Sequence, residues 1–181
     1  MDKITRRTYL GEFLKQSSFA LQAMEYLRDS QRKGNVLSIF FSAHSFLIHV
    51  ANISKLLSPP PSTVRKYPES KDVSRQLREM FCIAKTSLLL DRTLRNHLEH
   101  FDERIYEMFR VKDEGIGYMD TNIGSLNKIK GMHRVYLMRH YDTESSTYIF
   151  QNERYNLNNL ENEVAQLKEE IEKNISLNPL F

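Results

Sequence analysis

The chain has one cysteine, Cys82, no tryptophan, six glycines and five prolines among its 181 residues. A lone cysteine excludes an intramolecular disulfide framework and any zinc site assembled from cysteine pairs, which fits a reducing, cytoplasmic setting. Scarce glycine and proline, with apolar residues in long periodic runs, argue against a sandwich or barrel and for a mainly α protein. Charge of one sign is also lacking: 26 Lys and Arg face 23 Asp and Glu, and the net +3 permits nucleic-acid binding without arguing for it. The opening "MDKITRRTYLGEF" has no uninterrupted apolar core of the signal-peptide kind, and the longer apolar runs carry polar breaks. A soluble protein with no membrane partner is expected.

What is present is periodic. From about Lys3 to Arg32, Tyr9, Phe13, Phe19, Leu21, Met24 and Leu27 fall at mostly helical spacings, and "KGN" supplies the stop. Val36 to Leu57 is apolar nearly all round, the pattern of a central helix. "SPPPSTVRKYPES" is predicted to be an exposed, extended connection, because each proline removes a backbone donor. Helical periodicity resumes from about Lys71 to Leu90, and Asp91 is a candidate cap for a further helix to about Val111. Two helices or one bent helix fit that span equally.

Four of the six glycines fall between Asp113 and Gly131, which predicts an irregular connection. "HRVYLMRHYD" and "STYIFQNERY" alternate around "DTESS" as the arms of a β-hairpin would. Leu157, Leu160, Val164, Leu167 and Ile171 define an amphipathic closing helix. The expected organisation is a helical bundle over residues 1–111, with 112–181 adding the connection, hairpin and C-terminal helix packed on the same domain.

The most chemically loaded stretch is "LRNHLEHFDERI", Leu94 to Ile105. Leu94, Leu98, Phe101, Ile105 and Phe109 step by four, three, four and four as one apolar stripe. That leaves Asn96 and His100 close together on the opposite face and Arg95 on a flank. A solvated face with an Arg95–Glu99 pair would use the same alternation.

The hexapeptide "RNHLEH" resembles the R-polar-x-x-x-H signature of the HEPN domain family. The continuation "FDERI", the helix order over roughly Met1 to Val111 and the segment "HSFLIHVANISKLL" add to the likeness. It implies a HEPN-like antiparallel helical bundle with a C-terminal β-hairpin and closing helix. It also implies a metal-independent endoribonuclease of the kind found in toxin–antitoxin and phage-defence systems, or else a catalytically silent relative that binds RNA, nucleotides or protein. Under the resemblance Arg95 and His100 are the catalytic pair, Asn96 supports them, and no cofactor is used. Phe101 and Asp102 follow His100 where some relatives carry a tyrosine, which separates this chain from that subfamily.

The residue types suit the chemistry. RNA supplies its own nucleophile, the 2′-hydroxyl. Histidine can take or give a proton near neutrality, and arginine offers a planar fork of donors to phosphate oxygens. One histidine cannot stand at both the attacking and the leaving oxygen, so a two-fold homodimer is expected to line one cleft with two copies of the motif. RNA is the expected partner, with an antitoxin or other regulatory protein beside it.

His97, Arg92, Arg104, Arg75 and Arg78 are candidate RNA contacts. Arg65, Lys66 and Lys71 join the last two as a basic group after the proline segment, either on RNA or as a plain solvated face. His97 and His100 at i,i+3, with Glu103 nearby, could begin a metal site, but the further ligands it needs do not stand at suitable spacing. Ser38, Ser42, Ser45, His49 and Asn52 make a polar stripe that either lines a pocket or consists of ordinary buried hydrogen-bonding groups. "KIKGMHRVYLMRH" reads as a base-stacking face or as the packed side of the hairpin.

Overall fold

The structure is a computed structural model that describes residues 1–110, 117–129 and 135–177. α1 (Lys3–Arg32) begins where Asp2, in extended backbone, accepts the Thr5 N–H at 2.9 Å, as short polar side chains do at helix starts. It ends in a Schellman turn: Asn35 N–H reaches Ser30 O, Gly34 N–H reaches Gln31 O, and Gly34 holds φ +64°. Asn35 then caps α2 (Val36–Leu57) by accepting the Ser38 N–H. The short link makes α1 and α2 neighbours over most of their lengths.

On α2, Ile39, Phe40, Ala43, Phe46, Leu47, Val50, Ile53 and Leu57 are buried, as an apolar central helix should be. By length and composition the stretch Val36–Lys66, which α2 heads, could cross a bilayer, and half of its most apolar window is buried inside this fold. Leu37, Phe41 and Ile48 form an outer line that stays exposed. α7 (Leu157–Ser176) lays Leu157, Leu160, Val164, Leu167 and Ile171 against α1 and α2, each position burying roughly 1.5–3 kcal/mol of apolar side chain. One continuous core joins these helices to Tyr141, Tyr148, Phe150 and Tyr155. The closing helix is thus part of the bundle itself.

The proline segment departs from the predicted extended connection. Pro61 takes the first position of a short helix, α3 (Pro61–Lys66), where a missing N–H costs nothing because that donor has no helical partner. α4 (Ser70–Met80) stops well short of the predicted Leu90. Ile83 N–H bonds Arg78 O at 2.9 Å and Cys82 N–H bonds Glu79 O at 3.2 Å, a second Schellman turn with Cys82 at φ +52° where α1 has a glycine. A non-glycine residue in this left-handed region costs about 1–2 kcal/mol, of which glycine's backbone entropy returns about 0.5–1. Cys82→Gly is therefore expected to raise the melting temperature by a few degrees and Gly34→Ala to lower it, both read by thermal unfolding.

A 3₁₀ turn at Leu88–Leu90 follows, pinned from α7 by Glu163, which accepts the Leu88 N–H at 3.1 Å. Asp91 then accepts the Thr93 N–H at 2.8 Å just ahead of α5 (Thr93–Glu99), but the N-cap position is Arg92, so the expected cap stands one residue outside the helix start. α5 and α6 (Phe101–Arg110) are two helices parted at His100, whose backbone leaves the helix at φ −105°, ψ 35°. The predicted single stripe from Leu94 to Phe109 is therefore broken. Leu94 is buried and Leu98 packs at the edge of the core, while the side chains of Phe101 and Phe109 lie outside the described ones.

The predicted hairpin is half of a larger sheet. β4 (Arg139–Asp142) and β5 (Thr147–Phe150) pair antiparallel around "TESS", as expected. The second arm then turns again at Gln151 and Asn152, both at positive φ, so that β6 (Glu153–Asn156) pairs back on β5. Two successive positive φ values are the mark of a type I′ hairpin turn. β2 (Asn122–Ile123) adds in parallel to β4, giving the order β2-β4-β5-β6, and β1 (Gly117–Met119) pairs in parallel with β3 (Val135–Leu137). The segment predicted as irregular connection thus contributes two short strands among its described residues. Period-two alternation on β5 sends Tyr148 and Phe150 to the main core and Ile149 to a small second cluster with Leu126 and Leu137.

Candidate functional site

α5 carries the signature, and the structure divides its residues between two environments. Leu94, Arg95 and His97 are buried; Arg92, Asn96, Glu99 and His100 are exposed. Arg95 does not meet His100. Its side chain is only 2% exposed, and Nη1 donates to the Ser58 carbonyl oxygen at 2.8 Å, at the end of α2. Burial, with Arg92 adding to it, holds the guanidinium below the usual arginine range. The expected phosphate ligand is an internal brace between α5 and α2.

Arg95 is one of three guanidinium groups drawn to this helix end. Arg78 donates to the Leu57 carbonyl and, at 3.3 Å, to Ser74 Oγ. Arg92 places Nε and Nη2 at 3.3 and 3.1 Å from Ser58 Oγ. The last carbonyls of a helix lack intrahelical donors and carry about half a negative charge, which cations satisfy. No local pattern marks Leu57 and Ser58 as their meeting point, because helix ends attract donors through the fold and not through local spacing.

His97 turns inward as well, against its assignment as an RNA contact. Its Nδ1 lies 2.8 Å from the Tyr155 hydroxyl, and its ring packs 5.1 Å from Phe150. The apolar face of α5 includes position 97, so the histidine is a core group. Arg75 pairs along α4 with Glu79 at 3.2 Å and Asp72 at 3.5 Å, and so belongs to a solvated helix face. The Arg104 side chain lies outside the described ones. Most of "KIKGMHRV" falls at or beside 130–134, outside the described residues; the Leu137, Met138 and His140 that follow are buried, which is the packed-side alternative.

The polar stripe of α2 does not face the motif. His49 Nδ1 lies 2.8 Å from Gln16 Oε1, and Asn52 Nδ2 donates to the same oxygen at 3.3 Å, so these groups tie α2 to α1.

His100 is the exposed member of the expected catalytic pair. It closes α5 as its C-cap, with its N–H on the Asn96 carbonyl at 3.0 Å. Its Nδ1 stands 3.1 Å from Glu103 Oε1, one turn on in α6, with both side chains more than half exposed. Glu103 is thus a partner of His100 and not the beginning of a metal site, and the i,i+3 spacing is the local signal for such a His–carboxylate pair. Next to it Lys55 of α2 meets Glu99 at 2.7 Å. Among the described residues no three His, Cys, Asp or Glu side chains gather as a metal would require.

Around Ser58 the surface forms a cleft of about 580 Å³ lined by Pro59, Pro61, Arg65, Lys71, Arg78 and Arg92, among others. No carboxylate is among its lining residues. Arg92 is exposed and Arg78 half-buried where they line this cleft with residues of α3 and α4. No protein-family model, curated protein or solved structure matches this chain.

Proposed function

We propose that this chain is a metal-independent endoribonuclease of HEPN type that works as a homodimer and uses His100 as its acid–base group. The observation that carries the reading is the exposed His100–Glu103 pair at the break between α5 and α6, one turn from the exposed Asn96. When Nδ1–H is donated to the Glu103 carboxylate, one tautomer is selected and Nε2 is left for proton transfer. That nitrogen can take the proton of a 2′-hydroxyl as the oxygen attacks phosphorus, or protonate the departing 5′-oxygen. Arg95 acts in this reading as a positioning residue, holding the start of α5 against α2.

Two copies supply the two proton-transfer positions of an in-line displacement. Along α2, positions 37, 41, 48 and 55 share one helical face. The exposed line Leu37, Phe41 and Ile48 therefore leads to Lys55, whose partner Glu99 adjoins His100. This gives a second copy an apolar surface next to the signature. RNA as substrate and a regulating antitoxin or comparable protein follow from the same resemblance, and a cytoplasmic setting from the lone cysteine.

The test is purified protein with labelled single-stranded RNA in excess chelator. Fragments ending in 2′,3′-cyclic phosphate are expected from the parent and none from His100→Ala; uncut RNA from both proteins overturns the reading. The burial of Arg95 favours a second reading, a catalytically silent module that retains RNA without cutting it.

A further inference from the structure

We propose that the cleft beside Ser58 binds the phosphate groups of single-stranded RNA, with Arg65, Lys71, Arg78 and Arg92 as its cations. The inference rests on reading the chain as an RNA-acting protein, and it assigns the phosphate contacts that the buried Arg95 does not provide.

The first support is charge. Across the chain 26 basic residues face 23 acidic ones, so a cleft lined by four cations and no carboxylate is a local departure from balance. Arg75, close by on α4, shows the ordinary solution, with Asp72 and Glu79 both within 3.5 Å. The end of α2 offers only about half a negative charge against these full cations. The Arg95 guanidinium beside them is held below the usual arginine range first by burial and then by Arg92.

The second support is preorganisation. Arg92 is held on Ser58 Oγ and Arg78 on the Leu57 carbonyl and Ser74 Oγ, so neither guanidinium must be ordered by the ligand. Each keeps further N–H donors for phosphate oxygens, since the group carries five. Arg65 and Lys71 are exposed at the rim. Several cations converging on one open cleft match the repeated charges of a phosphodiester chain.

The third support is position. Arg92 stands immediately before α5, and His100 ends it. Eight residues at 1.5 Å rise separate them by roughly 12 Å, a span that a few nucleotides of a strand held at Arg92 can cover.

Binding of a fluorescein-labelled short oligouridylate to His100→Ala protein, which leaves RNA intact, tests the cleft. Each phosphate contact on a single strand adds about 0.7 to the slope of log K against log salt. Four contacts give a slope near −2.8, an affinity loss of about 50-fold between 50 and 200 mM salt. Adding Arg65→Gln and Lys71→Gln, both exposed, is expected to bring the slope to about −1.4 and that loss to about sevenfold. Arg75→Gln is expected to leave both unchanged.

An unaltered affinity and slope in the Arg65→Gln/Lys71→Gln protein overturns the proposal, as does failure of the parent to bind. Displacement of RNA by polyglutamate of equal length at equal concentration also overturns it, since the cleft would then be a site for an acidic protein. Cleavage by the parent with cleft-independent binding sinks the cleft alone, whereas cleft-dependent binding without cleavage sinks only the nuclease reading.

Discussion

Arg95→Ala is expected to unfold roughly 6–12 °C below the parent chain, a loss of about 3 kcal/mol for a protein of this size. A charged hydrogen bond contributes about 1.5–3 kcal/mol, and the Ser58 carbonyl at the end of α2 loses its 2.8 Å donor. A cavity is left as well, since the side chain was only 2% exposed. The guanidinium is not wholly comfortable, however: Nε is buried without a hydrogen-bond partner among the described residues. Arg95→Met keeps the reach and fills the cavity but still leaves the Ser58 carbonyl without its donor, so it is expected to lose less than Arg95→Ala, about 1–2 kcal/mol. Circular dichroism melting of the two variants reads both outcomes. Full stability of Arg95→Ala combined with lost RNA cleavage would instead return Arg95 to the phosphate.

That inward turn marks the limit of what the sequence could reveal. α1, α2 and α7 were legible because periodicity and caps agreed: Asp2 and Asn35 stand where helix starts need an acceptor, Gly34 where a helix end needs positive φ, and five apolar positions of α7 keep one face. The end of α4 was hidden because Cys82 occupies a position at which glycine would have announced the turn. The third antiparallel strand was hidden for a similar reason, since Gln151 and Asn152 make a type I′ turn without the customary glycine. The break at His100 has neither glycine nor proline to mark it.

Within the site, helical spacing correctly separated Asn96 and His100 from the apolar face. It left Arg95 on a flank, and only the placement of the α2 terminus decides which way a flank residue turns. His97 shows the same ambiguity from the other side. Its partner Tyr155 lies 58 residues away on β6, so no local pattern could have assigned it to the core.

His100→Ala is expected to lower the RNA cleavage rate by about 10²–10⁴-fold, the usual contribution of a positioned acid–base group. The melting temperature should scarcely move, because the ring is more than half exposed and surface substitutions usually stay within about 0.5 kcal/mol. Glu103→Ala removes an exposed pair worth up to about 1 kcal/mol, so its rate loss is expected not to exceed about fivefold. A loss as deep as that of His100→Ala would make Glu103 a proton carrier in its own right. Mixing extends the comparison to the dimer. If parent and His100→Ala chains exchange at equal amounts and both histidines of a dimer are required, about a quarter of the dimers retain activity. If each copy works alone, about half of the activity remains, and the two-copy cleft is excluded.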